Sequence, residues 1–550
     1  MSTTSIWTAL RNRTFRILWL ASVLSGCCVS AHDMAATWVM NTLTTSPLLL
    51  SLLSTSAALP FFFLTFPAGA VADMANRKTI LCVMHVWLAL AAGGLALLSA
   101  LHMLNPSIIF SAVFLLGVGF ACNAPAWMSV VPDVVSKEEL SSAIVLGGVQ
   151  LNISGIIGPA LGGLLLPLIG PTALFGLNSV AFLLVLGAIL QWHQKRSHSV
   201  LPSESLVESF FGAVRYVRYS QTMQVVLVRA FLFAFLISVI PSLLPVVGLQ
   251  ALKLSSSHLG VLFTSMGVGS LLGAVFVVPW AREQFTPNKV TILASVLLAF
   301  VYFLMATVRN LEAFMLVAAL AGLGWTLAAS ELWVTAQQAM PGWTRGRLNA
   351  AQLMVSQGGI ALGGLVWGSV AAFTGFEYTL LLAALFVFLN LSVAGPLSID
   401  FARTMKTEPA PPMRMPEFPE SPDPDEGPIA VVAEITIDRQ KHLQFLDLMR
   451  ELRRIYLRNG ASSVRLYENL SERSIFRMEA VAPTWREYLL LQRRLTKSER
   501  DILDRVLKLH AGTVTKIDHY LLITRDLLAP SSVASIDQGS DGRAIKNFTG

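Results

Sequence analysis

Five ionisable side chains stand inside otherwise apolar stretches of this chain: His32, Asp33, His85, Arg229 and Glu331. A charge at the centre of a bilayer costs about 2.5–3.5 kcal/mol on insertion scales, so each of them needs a reason. A carboxylate in such a place can bind and release a proton as its surroundings change, which is the chemistry of ion-coupled solute movement. Asp33 and Glu331 are therefore the coupling or substrate candidates. Arg229 pairs with Glu331 or snorkels to the interface. Successive helix residues point about 100° apart, so His32 and Asp33 cannot both face one cavity squarely. His32 and His85 are expected to make local hydrogen bonds. Asn123, Asn152 and Gln357 are further polar candidates, and Trp38, Trp325 and Trp333 are aromatic ones.

Other chemistries are excluded or lack support. No Gly-Lys dipeptide occurs, so no Walker A phosphate loop exists and an ion gradient has to drive any uphill transport. The four cysteines lie in apolar runs, too few for a disulfide framework. The histidines after the linker, His442, His510 and His519, are scattered, with no metal or nucleophile constellation. No cofactor and no metal are expected.

These residues need helices to position them. The 550 residues are 54% hydrophobic and 13% charged, against about 25% charged in a soluble domain. Residues 1–406 carry 19 basic and 12 acidic side chains, and residues 407–550 carry 21 of each. The whole +7 thus belongs to the apolar part. Twelve apolar runs, near 17–41, 47–71, 79–101, 107–131, 139–167, 171–192, 223–248, 257–281, 289–308, 311–339, 347–374 and 376–398, are each long enough to cross about 30 Å of hydrocarbon. With the N-terminus inside, sixteen basic residues fall on cytoplasmic loops and only Lys253 and Arg309 on outer ones. The basic balance reports insertion, with no nucleic-acid partner, and both termini are expected in the cytoplasm.

The stretch 136–171 recurs about 205 residues later at 343–376, pairing Gly158 with Gly363, Gly163 with Gly368 and Gly170 with Gly375. Two six-span halves in the same orientation, 1–192 and 223–400, are joined by a polar loop at 193–222. Within that loop SLVESFFGAVRYVRYSQ is amphipathic and expected at the membrane surface. A linker, 401–428, follows; its core 407–428 holds 8 prolines and 6 acids. Residues 429–530 read strand, helix, strand, strand, helices, strand, a ferredoxin-like βαββαβ order. Ser498 with Asp501 is a helix-start box there, and 531–550 reads as a disordered tail.

Two local patterns add gating and packing. In PAGAVADMANRKTI, Gly69 allows close helix approach and Asp73 sits at a helix end, near the start of the run after Arg345–Gly346–Arg347. A carboxylate beside that positive dipole end can latch two halves together; a generic basic inner loop is the alternative. Gly155, Gly158, Pro159, Gly162 and Gly163 place small residues mostly on one face of the fifth run, where helices can touch backbone to backbone.

Gly69, Asp73, Arg77 and Lys78 resemble the signature loop of the major facilitator superfamily, Gly-x-x-x-Asp-Arg-x-x-Arg-Lys, with Met74 in place of its first Arg. Pro159 and its glycines resemble the end of the Gly-Pro motif of exporters in that superfamily. LRNRTFRILWLASVLS (10–25), LTTSP (43–47), GAVADMANRK (69–78), GPALGG (158–163), RGR (345–347), RNGASSVRLY (458–467) and TWREYL (484–489) extend the likeness. Together they resemble the enterobactin-exporter branch and its transmembrane secretion effector subgroup, which usually has His where Tyr488 and Gln492 stand. The C-terminal part is similar to the small dimeric α/β-barrel domains related to antibiotic-biosynthesis monooxygenases. The resemblance implies a cavity lined by spans 1, 4, 7 and 10, where Asp33, Arg229 and Glu331 fall, and a homodimer through the C-terminal domain.

The expectation is an all-α polytopic protein of the bacterial inner membrane with twelve transmembrane helices, plus a cytoplasmic α+β domain. It exports small organic molecules, siderophores or drugs, against protons and is not an enzyme. A transporter–enzyme fusion and a non-transporting receptor remain the alternatives.

Overall fold

A computed structural model describes residues 7–136, 138–192, 206–403, 407–411, 422–511 and 516–521; the expected tail at 531–550 and residues 404–406 and 412–421 of the linker lie outside them. The chain divides into two compact units, residues 1–411 with 494–501 and residues 412–493 with 502–550.

Among the described residues, eleven helices are long and apolar enough to cross a membrane. They are α1 (Arg13–Leu43), α2 (Pro47–Met74), α3 (Arg77–Ala100), α4 (Pro106–Val134), α5 (Leu140–Gln191), α7 (Gln221–Ala251), α8 (Ser256–Gln284), α9 (Pro287–Thr307), α10 (Leu311–Ala339), α11 (Arg345–Thr374) and α12 (Phe376–Ala394). The short α6 (Leu206–Tyr219) lies between α5 and α7. Starts are set locally. Asn12, Ser46, Asn76, Asn105, Ser220, Ser255, Thr286 and Asn310 each accept a backbone N–H of the following turn. Proline stands in the first turn of α2, α4 and α9, where its missing N–H costs nothing.

The 52-residue α5 is not one rod. Gly170 has φ 75° and ψ 169°, a region essentially reserved for glycine, and it divides the helix into two arms. Gly375, 205 residues later, has φ 83° and ψ 159° between α11 and α12. The repeat is thus also a repeat of backbone conformation.

Glycines set the helix spacing. A Cβ on Gly158 would lie 2.7 Å from the Cys27 carbonyl oxygen, and one on Gly162 would lie 3.0 Å from Ala31 Cα, both in α1. One on Gly163 would instead come within 2.9 Å of Gly260 Cα in α8. The second half repeats this: Gly359 and Gly363 meet α7, while Gly364 and Gly368 meet Ser54, Thr55 and Ser51 of α2. The expected single small-residue face is therefore two faces, one turned to a neighbour in the same half and one to the other half. A helix packed on both sides needs small residues on both.

At one end of the seam the halves share an apolar cluster. One continuous apolar cluster joins Val39, Met40, Leu50 and Leu53 of the first half to Val239, Ile240, Leu243, Leu244 and Leu259 of the second. Gln250 Nε2 donates to the Thr45 carbonyl at 3.0 Å across the same end. At the other end, which bears Arg77 and Arg345, the clusters stay within one half. Leu18, Ala72, Leu81, Val130 and Ile189 form one, and Met223, Val226, Ala336, Met340 and Leu348 another.

The last part of the chain carries β1 (Ile429–Thr436), α13 (His442–Asn459), β2 (Ser463–Glu468), β3 (Ile475–Ala482), α14 (Trp485–Arg494), α15 (Lys497–Lys508) and β4 (Lys516–Leu521), of which residues 494–501 group with the first unit. Its sheet is antiparallel in the order β2-β3-β1-β4, with Ile435 opposite Phe476 and Val431 opposite His519. Phe445 of α13 packs on Phe476, its ring centroid 4.9 Å away. The start of α15 corrects the expected Ser498–Asp501 box. Thr496 N–H donates to Glu499 Oε2 at 2.7 Å and Glu499 N–H to Thr496 Oγ1 at 3.4 Å, two residues earlier in the chain.

Backbone contact at the glycines makes a direct prediction. A Cβ on Gly269 would sit 1.8 Å from the Ala319 carbonyl oxygen, whereas one on Gly147 meets nothing within 4 Å. Gly269→Ala is expected to destabilise the protein by about 1–3 kcal/mol or more. Gly147→Ala is neutral or slightly stabilising. Thermal unfolding in detergent checks both.

Candidate transport site

The middle of the seam holds a cavity of about 440 Å³. Its wall is mostly apolar, with Met34, Leu53, Phe61, Pro159, Pro241, Pro245, Phe263, Trp325 and Ile360 contributed by both halves. Polar groups are few: Ser30, Asp33, Thr37, Ser54 and Gln357. A volume of this size with a sparse polar set suits a drug-sized organic molecule. Ser54 Oγ lies 3.0 Å from Ser242 Oγ, and Thr55 Oγ1 donates to the Ala361 carbonyl at 2.9 Å, so the wall is pinned across the halves.

Asp33 is exposed to this cavity and has no ion-pair partner among the described residues. Its neighbour His32 is wholly buried behind it. As the helix geometry requires, the two point apart: the His32 ring packs on Phe175 with centroids 4.7 Å apart. His32 does not make its expected local hydrogen bond, since neither ring nitrogen has a partner among the described residues. His85 does, with Nδ1 2.8 Å from the Leu81 carbonyl oxygen.

Glu331 is placed differently from expectation. It is buried, absent from the described wall of the central cavity, and ion-paired with Arg282. Arg229 is not its partner. That guanidinium donates to Asn288 Oδ1 at 3.1 Å, to Thr291 Oγ1 at 2.7 Å and to the Leu397 carbonyl at 3.3 Å. Asn288 N–H in turn donates to Asp400 Oδ1 at 3.0 Å. The cluster ties α7, α9 and the end of the bundle together, which accounts for a buried Arg229 without a snorkel. Removing Arg282 would leave a buried carboxylate uncompensated, at a cost of about 3–5 kcal/mol.

The signature loop makes equivalent contacts. Arg77 Nη1 lies 3.1 Å from Asp133 Oδ2 at the end of α4. Lys78 Nζ donates to the carbonyls of Leu190 and Trp192 at 2.9 and 2.6 Å, capping the end of α5. Arg282 stands 205 residues after Arg77, and its bond to Glu331 of α10 is the counterpart of Arg77–Asp133. Sequence reasoning missed this pairing because the acid has shifted by two turns along its helix. The Asp73 side chain lies outside the described residues. Gly69 does not make the expected close approach: a Cβ there meets nothing within 4 Å. It faces a second cavity of about 200 Å³ that it shares with Gly346 and Arg347 of α11. Arg345 makes only a long contact, 3.5 Å, to the Met340 carbonyl.

Of the remaining polar candidates, Gln357 lines the central cavity. Asn152 donates to the Gly148 carbonyl of its own helix at 2.9 Å, and Asn123 Oδ1 is buried without a partner. Trp325 lines the central cavity, Trp333 lines the second one, and Trp38 packs against the apolar cluster that the halves share.

In the C-terminal unit Tyr488 OH lies 2.7 Å from His519 Nε2. Burial pushes the phenol up to about 12 and holds the imidazole below its ordinary value. The folded pair is thus neutral, with tyrosine donating. For His519 the depressed value means stability fully present above the ordinary value of 6.5 and lost as pH falls through the folded one. No cluster of three or more metal-ligating side chains occurs among the described residues.

Comparisons with known proteins agree with this architecture. The chain is 23% identical over 274 residues to macrolide efflux protein A of Streptococcus pyogenes, covering 48% of this chain and 65% of that protein. It is 32% identical over 143 residues to the uncharacterised MFS-type transporter YfiS of Bacillus subtilis, covering 25% and 32%. Both matches span less than two thirds of the relative. In fold it is similar to a bacterial homologue of the human lysosomal transporter Spinster in an inward-facing, unoccupied conformation, with TM-score 0.57 and 16% identity over 72% of this chain and 98% of that one. It is also similar to the nucleoside transporter NupG, with TM-score 0.56 and 13% identity over 70% and 98%. The transmembrane secretion effector family matches residues 4–527. The chain belongs to that family of major facilitator superfamily membrane transporters.

Proposed function

We propose that this protein is a proton-coupled exporter of small apolar organic molecules in the bacterial inner membrane. One observation carries the reading. Asp33 is the single ionisable side chain among the described residues lining the central cavity, and it sits there without a counter-ion. In an apolar cavity a lone carboxylate binds either a proton or a cationic group of the substrate. The two compete, and that competition is the coupling. A carboxylate opposes an anionic siderophore, so the wall favours neutral or amine-bearing drug-like molecules, in keeping with the macrolide efflux relative.

The remaining topology follows in the same reading. The two arms of α5, broken at Gly170 as α11 and α12 are at Gly375, are separate crossings and bring the count to twelve. Basic loops then place both termini and the end bearing Arg77 in the cytoplasm, and the apolar clusters that stay within one half at that end support an inward-facing state. The inner latch is assigned to the signature loop and the start of α11, which Arg345 and Arg347 flank; the Asp73 side chain lies outside the described residues. Glu331, paired with Arg282, supports the inner end and takes no part in coupling. The halves 1–192 and 223–400, the loop 193–222, the linker 401–428 and the domain 429–530 are the units of this design. Strand order β2-β3-β1-β4 with helices between is that of a ferredoxin-like unit. Its role is regulation or pairing of two copies, with no enzymatic step assigned.

Asp33→Asn is expected to lower efflux driven by a pH gradient in vesicles by about tenfold or more, the loss when over ~1.4 kcal/mol of coupling is removed. Full pH-driven efflux in Asp33→Asn would overturn the assignment. Deleting 407–550 is expected to preserve transport. If it abolishes efflux and the intact protein consumes oxygen with aromatic substrates, the domain is an enzyme.

A further inference from the structure

The second cavity, at the end of the seam bearing Gly69 and Arg347, has a chemistry opposite to that of the central one. α11 starts there, thirty residues long, and its N-cap Thr344 makes no side-chain hydrogen bond to the first turn. The first-turn amides of α11 have no carbonyl partner within their own helix, and the aligned peptide dipoles leave partial positive charge at that end. Gly346 and Arg347 of this first turn both line the cavity, and Asn349 stands one turn further in. Facing them, Thr65 of α2 is 1% exposed, and its Oγ1 has no hydrogen-bond partner among the described residues. A buried hydroxyl left unpaired forfeits its hydrogen bond to water, so a ligand that satisfies it is favoured. The rest of the wall, Phe66, Pro125, Met128, Trp333 and Leu353, is apolar or aromatic.

We infer that this cavity is a binding site for a monoanionic carboxylate carried on an apolar body. The carboxylate would accept from the α11 N-terminus, the Arg347 guanidinium and the Thr65 hydroxyl. The apolar body would lie against Phe66, Met128 and Trp333. Such a ligand is wedged between α2 and α4 of one half and α10 and α11 of the other, so it holds this end of the seam apart. It acts as a brake on transport and is not the transported molecule, because the central cavity presents a carboxylate of its own. This site stands whether or not the protein exports against protons.

Two sources share the chemistry: a fatty-acyl carboxylate from the bilayer and a soluble aromatic carboxylate. The experiment titrates the purified full-length protein in nanodiscs with decanoate, with benzoate, and with the uncharged decanol and benzyl alcohol. Fluorescence is read as the difference between the wild type and Trp333→Phe. The expected result is a saturable change with a carboxylate and none with the matching alcohol. Arg347→Gln and Thr65→Val each weaken it several-fold, while their unfolding temperatures stay near that of the wild type. A response to decanoate alone assigns the bilayer source, and a response to benzoate the soluble one. Equal responses to acid and alcohol, or full binding in both variants, would overturn the site. Loss of the response in Asp33→Asn would move the ligand to the central cavity and overturn it as well.

Discussion

Backbone-to-backbone contact at glycine is what the rest of this molecule depends on. In hydrocarbon there is no hydrophobic force between helices, so two halves meet only where packing is close enough for dispersion to count. Gly163 against Gly260, and Gly364 and Gly368 against Ser54, Thr55 and Ser51, bring the halves together along two lines. Residues of both halves also line the central cavity. Gly158 and Gly162 fix α1 on α5, and so hold Asp33 at one depth and one angle on the cavity wall.

Two of the acids, Asp33 and Glu331, stand deep within apolar runs, and their surroundings differ. Glu331 is buried with the Arg282 guanidinium beside it, so its charge is already paired within the second half. Asp33 faces a cavity with no cation beside it, where each change in occupancy changes the cost of its charge. Composition could not tell these apart, because both read as one carboxylate in an apolar run. Only the direction of each side chain and the identity of its neighbour, 49 residues away for Glu331 and Arg282, distinguish them.

What was legible in the sequence was whatever repeats or alternates locally. The twelve apolar runs returned as eleven candidate spans, the fifth and sixth runs falling in the single 52-residue α5, and the 205-residue repeat returned as matched packing and as matched positive-φ glycines at 170 and 375. The strand and helix order of the C-terminal part was also readable, because period-2 and period-3.6 patterns alternate there. What was not legible was pairing at a distance. Arg229 chose Asn288 and Thr291 over Glu331 because those side chains sit on the facing turn of α9. The helix-start box moved from Ser498 to Thr496 because both Thr-x-x-Glu and Ser-x-x-Asp satisfy the pattern, and only the backbone decides between them.

The opposite chemistry of the two cavities follows from the same geometry. The central one lies at mid-helix, where backbone groups are consumed by the helices and only side chains such as Asp33 and Gln357 can offer polarity. The second lies where α11 begins, so unconsumed amides and Arg347 make it electropositive. An acid on the wall of one and a helix end on the wall of the other create a gradient of preference along the seam. Under the two proposals, a cationic or neutral solute would pass the second cavity and settle at Asp33, whereas an amphipathic anion would be held before the centre. Selectivity would then belong to the path as much as to the site.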